Sequence, residues 1–242
     1  ATRQGSPPRP TRRWRALRAK RPCGHASAQR CGSPVIAPNA PTLTTVEGLG
    51  PPDDSPVQFR DALASMRSVT PRFEITVEEA PAPQRLAPFS VALTADVDIA
   101  GDEGATGRFV LLHDPDGHSS WNGTFRIVTL VKAEIEDDIA GDALAHAVGW
   151  AWLTEALDRQ ECRILELGGT VTVVRSESFG GLQERPIIGH LEVRASWTPD
   201  GATAPVEMDR HLKAWLDLLA TAAGLPDLPP GVATIPVQPR RP

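Results

Sequence analysis

The chain has 242 residues, 40% hydrophobic and 23% charged, which allows one substantial core. Its charge is divided: residues 1–50 hold nine Lys or Arg against one acid, Glu47, and the remainder holds 16 basic against 29 acidic residues, a net of −13. An acidic body lacks the clustered cations that a nucleic-acid backbone requires, no apolar run approaches the ~20 residues of a bilayer span, and three cysteines are an odd number for a disulfide framework.

Residues 1–54 read as a disordered basic head, because prolines interrupt any helix and the apolar residues are too scattered to bury. Arg12, Arg13, Arg15, Arg18, Lys20 and Arg21 cluster around Trp14 and Leu17; a nucleic-acid-associated arm is the alternative reading. A native start near Val46, where the composition changes, is a related expectation. Order begins at Ser55-Pro56, a helix cap followed by a first-turn proline, and Val57, Phe59, Leu63 and Met66 recur at helical spacing.

Phe73, Ile75 and Val77 then alternate with Glu74, Thr76 and Glu78, the pattern of a half-buried strand. After the stiff Pro81-Ala82-Pro83 link a second strand covers Phe89–Val97, and residues 101–107 read as an acidic turn. Arg108–His113 forms a third strand, Asp114-Pro115-Asp116-Gly117 a turn, and Trp121–Ile135 a fourth strand. A helix starting at Asp137 or Asp138 carries Leu144, Val148, Ala151, Trp152 and Ala156, with Gly149 retained for close packing on the sheet.

Two further strands follow, about Ile164–Ser178 with a break at Gly168-Gly169, and about Pro186–Trp197. A final helix over about Val206–Ala223 buries Leu212, Trp215, Leu216 and Leu219 and stops at Gly224; residues 225–242 form a proline-rich tail. The element order is α-β-β-β-β-α-β-β-α. Short links between strands imply an antiparallel sheet of about six strands with helices on one face, an α+β domain over residues 55–224. The opposite face carries Thr, Glu, Arg and Ser and is expected to meet water.

Four blocks carry a resemblance: Pro81-Ala-Pro-Gln-Arg-Leu-Ala-Pro-Phe; Gly107-Arg-Phe-Val-Leu-Leu-His-Asp-Pro through Trp121-Asn-Gly-Thr-Phe-Arg; Val148-Gly-Trp-Ala-Trp-Leu-Thr-Glu-Ala-Leu; and Ser176-Glu-Ser-Phe-Gly-Gly-Leu. Over residues 57–200 the chain resembles an uncharacterised actinobacterial family, domain of unknown function 3000. That family has no established activity, so the resemblance implies no catalytic residues.

The chain offers few groups for chemistry. His113, Asp114, Asp116 and His118 flank one turn and are the candidate ligands for a metal such as zinc or manganese, although the Asp-Pro and Asp-Gly pairs already account for a turn there. Cys23, His25 and Cys31 lack standard zinc spacing. Ser178 has His190 on the next strand as a conceivable base, but lacks the flanking glycines of a nucleophile elbow. Trp150 and Trp152 lie about 200° apart on one helix. Trp152 is expected in the core, and Trp150 with Trp121 at a partner contact.

No catalytic residue, bound metal or cofactor is therefore expected. The reading is a cytoplasmic, non-catalytic interaction or regulatory module with a protein partner, a second copy of the chain among the candidates. A metal-dependent enzyme at the His113–His118 loop and a nucleic-acid-associated factor acting through the head are the alternatives.

Overall fold

The computed structural model describes residues 54–99, 102–201 and 207–227. Cys23, His25, Cys31, the 12–21 arginine cluster and the tail beyond Asp227 lie outside the described residues. In chain order the elements are α1 (Val57–Arg67), β1 (Ile75–Ala80), β2 (Phe89–Ile99), β3 (Asp102–His118), β4 (Gly123–Ile135), α2 (Asp137–Ala140), α3 (Ala145–Arg159), β5 (Ile164–Ser176), β6 (Ile188–Pro199) and α4 (Met208–Ala222). The strands form one antiparallel sheet in the order β1-β2-β3-β4-β6-β5, an α+β arrangement. The last strand is inserted between β4 and β5, so β5 is an edge.

One face of the sheet is predominantly apolar at alternate positions. Phe109 and Leu111 of β3, Ile127 and Val131 of β4, and Leu191, Val193, Ala195 and Trp197 of β6 are buried there under the helices. α4 is the central helix, burying Leu212, Trp215, Leu216 and Leu219 among ten of its fifteen residues. It ends as the sequence implies: Gly224 has φ +73°, Leu225 N–H donates to the Ala220 carbonyl at 2.9 Å, and Gly224 N–H donates to Thr221 at 3.0 Å. This glycine-terminated pattern satisfies two last-turn carbonyls.

Several boundaries differ from the sequence reading. Phe73 precedes β1 and is 52% exposed, so the inward-facing set of that strand is Ile75 and Val77. Residues 102–107 are not a turn but the first half of β3, paired with β2. Asp137 and Asp138 start only a four-residue helix, and the long helix begins at Ala145. Ser55 makes no capping hydrogen bond; Pro56 occupies the cap position, and the buried Ser55 Oγ has no partner among the described residues.

The segment Asp114–Gly117 does not reverse the chain. It bulges out of the β3–β4 ladder between His113 and His118, with an Asx bond from Asp116 N–H to Asp114 Oδ1 at 3.1 Å, and the reversal falls at residues 119–122 instead. Asn122, with φ 56°, supplies the left-handed residue of that turn.

On α3 the fully buried line is Gly149, Leu153, Ala156 and Leu157. A Cβ on Gly149 would lie 3.1 Å from Val171 and 3.2 Å from Leu191, so the glycine sets the close approach of α3 to β5 and β6. At about 100° per residue, Trp150 sits to one side of Leu153 and Trp152 to the other. Both are half-buried against the core. This corrects the expectation that Trp152 is enclosed in the core while Trp150 is not. Trp152→Ala is accordingly expected to cost about 1–2 kcal/mol in chemical denaturation, below the ~3–5 kcal/mol of an enclosed tryptophan. A loss above 3 kcal/mol would show that the ring is enclosed.

Candidate functional site

The sequence-derived ligand set is split by strand parity. His113 shares the helix-covered face of β3 with Phe109 and Leu111, and its ring is fully buried, 4.2 Å from Phe125 and 5.9 Å from Phe59. Nδ1 donates to the Thr124 carbonyl at 3.0 Å, and Nε2 has no partner among the described residues. Burial holds this imidazole below its ordinary pKa, against the opposing pull of the Thr124 bond and Asp114. His118 is exposed at the far end of the bulge and stacks on Trp121 at 4.8 Å; Asp116 is exposed and Asp114 half-buried. Among the described residues no three His, Cys, Asp or Glu side chains converge as a metal set.

Ser178 and His190 lie on adjacent segments, but the structure gives no hydrogen bond between them, and His190 is exposed. Gly180, at φ +63°, turns the chain after Phe179. Cys162 is buried enough that its thiol is pushed up to about 12, leaving it protonated and inert at neutral pH.

The sheet face not covered by helices is less uniformly polar than the sequence suggests. Cross-strand register places Val110, Val128, Ser196 and Gly168 in one row across β3, β4, β6 and β5, and Arg108, Leu130, Arg194 and Thr170 in the next. Part of this face is closed: Ala92, Val110 and Leu112 lie beneath Ala82, Ala87 and Trp121. The 81–88 link is tied down there, because Arg108 Nη2 donates to the Pro81 carbonyl and Ser90 Oγ donates to the Pro83 carbonyl at 3.1 Å.

Beyond that cover lies a shallow groove of about 300 Å³ with Val128, Leu130 and Gly168 in its lining. Arg108 of β3 and Arg194 of β6 also line it, on either side of Leu130 in one cross-strand row. Arg126 reaches across the upper end: Nη2 donates to Ser196 Oγ at 2.7 Å, and Nη1 donates to Thr198 Oγ1 at 3.1 Å and to the Glu166 carbonyl at 3.0 Å. Thr198 in turn donates to the Trp121 carbonyl, so the turn, the arginine and the β5 bulge form one connected network.

Two adjacent glycines form the β5 side of the groove. Register shifts there between Leu165 and Gly168, and Glu166 takes φ 50°. A Cβ on Gly169 would lie 2.3 Å from the Arg194 carbonyl and 2.7 Å from the Trp150 ring, so this position admits no side chain. Gly168 meets nothing within 4 Å, and the groove is open because it has no side chain.

A second, wider depression of about 810 Å³ beside Lys132, Glu134, Asp137 and His190 carries groups of both signs. The groove was not legible beforehand, because cross-strand register decides which apolar and cationic residues share a row.

Comparison with family models matches residues 55–233 to a family described as Protein of unknown function (DUF3000). No curated protein and no solved structure matches the chain.

Proposed function

The chain belongs to the DUF3000 family, and from that premise we propose that its folded domain is a non-catalytic interaction module that docks a protein partner on the helix-free face of the sheet. The observation that carries this reading is the groove over Val128 and Leu130, an apolar strip between arginines on a body of net −13. Apolar surface rimmed by polar groups is the usual character of a partner site. Trp121 belongs to this surface through the Thr198 bond, whereas Trp150 packs behind it on Gly169. No described helix is long and apolar enough to cross a membrane.

The test is a photo-crosslinking residue at Val128, compared with one at the exposed Glu155 of α3. Discrete protein adducts in host lysate are expected from position 128 only. Equal adducts from both positions, or none from 128, would overturn the docking face.

A further inference from the structure

Resting on the docking-face reading, we infer that an extended acidic peptide of a partner protein pairs with the outer edge of β5, its same-face carboxylates reaching over the groove toward Arg126 and Arg194. Charge complementarity selects the class. Within a domain dominated by acids, Arg108 and Arg126 flank the groove with their hydrogen bonds going to neutral oxygens, and neither has an ion-pair partner among the described residues. Glu166 lies within electrostatic reach of Arg126 but is exposed. Arg194 is 63% exposed and meets Glu192 at 2.6 Å; Lys132 meets the same carboxylate at 3.1 Å, so this trio keeps one positive charge. Arginine is suited to binding a carboxylate through two parallel hydrogen bonds.

The sheet geometry selects an extended chain. Among the described residues β5 pairs only with β6, so its outer edge can accept another strand. On an added strand, same-face residues two apart would stand about 7 Å from each other, beside Gly168 and Thr170. The Gly168 row contains Ser196, where the Arg126 guanidinium sits, and the Thr170 row contains Arg194. Same-face carboxylates of an added strand therefore stand on the side of both cations, and the bare Gly168 leaves room for one of those side chains. A single-stranded nucleic acid fits less well, because the groove floor is Val128 and Leu130, without an aromatic platform for base stacking.

The measurement is fluorescence anisotropy of the full chain with three labelled probes: an eight-residue peptide of alternating Glu and Val, its Gln-for-Glu analogue, and an eight-nucleotide oligo-dT. The Glu peptide is expected to bind at least tenfold more tightly than either other probe, and more weakly as salt rises. Gly168→Leu, which fills the groove in open space, and Arg194→Gln, on an exposed side chain, are each expected to weaken it at least tenfold. Equal affinity for the Glu and Gln peptides, or tighter binding of oligo-dT, would overturn the acidic-peptide assignment. Binding that both variants leave intact would place the peptide elsewhere, the Arg-rich head included, and would also overturn it. If Val128 crosslinks persist in any of these cases, the docking face stands and only its occupant class falls; loss of those crosslinks removes both.

Discussion

Trp215→Ala is expected to lower the free energy of unfolding by about 4 kcal/mol, the range for emptying an enclosed tryptophan site. The Trp215 ring is fully buried on α4, 5.6 Å from Phe109 of β3, and its indole N–H donates to the Leu130 carbonyl at 3.4 Å. It is the point at which the central helix meets the middle strands. A Cβ on Gly107 would lie 2.9 Å from this ring, so helix and strand already approach as closely as the side chains allow. Collapse around the lost volume is therefore restricted. Chemical denaturation with an unchanged slope and a lower midpoint is the expected result. A loss below 2 kcal/mol would mean that α4 shifts to refill the site.

The second large effect concerns acid. His211 of α4 is buried, and its Nδ1 accepts the Trp197 indole N–H at 3.2 Å. Burial pushes its pKa down to about 4, with Asp209 opposing and Arg210 assisting. In the unfolded chain the same imidazole takes a proton near pH 6.5. Between about pH 6.5 and 4 the unfolded state thus binds more protons than the folded one, and stability falls as pH falls through that window. The span corresponds to about 3 kcal/mol, present in full above pH 6.5 and lost by about pH 4. His113 titrates in the same direction, so its own burial adds to the loss.

His211→Gln keeps an acceptor for the indole and removes the proton site. Unfolding free energies at pH 7 and pH 4 are expected to differ by about 3 kcal/mol less in the variant than in the parent. Parallel pH profiles would show that His211 titrates at its ordinary value.

Local pattern was sufficient for much of the fold. The alternation Leu191, Val193, Ala195, Trp197 specifies a strand with one buried face, and the Leu212, Trp215, Leu216, Leu219 stripe specifies a helix lying on a core. Gly224 marks the end of α4, and Gly149 the close contact of α3 with the sheet, because a glycine at either place follows from backbone geometry or from the absence of a Cβ. Parity could also have separated the two histidines of the 113–118 loop. His113 falls in step with the inward-facing Phe109 and Leu111, but the Asp-Pro and Asp-Gly pairs suggested a turn that the tertiary structure uses as a bulge.

Long-range pairing decided the rest. Nothing local in β5 or β6 states which of them lies beside β4, and insertion of β6 leaves β5 at the edge. The apolar run Phe109–Leu112 indicates burial on both faces without saying what covers each. On one side it is α4, and on the other the 81–88 link tied by Arg108. The docking groove depends on register across four strands, which brings Arg108, Leu130, Arg194 and Thr170 into one row. By itself, then, the sequence determined which residues turn toward a core, because burial follows a period of two or 3.6 along the chain. Only the tertiary structure decided which strands are neighbours and in what register, because each strand's pattern is compatible with several partners and the shared packing of the whole sheet selects among them.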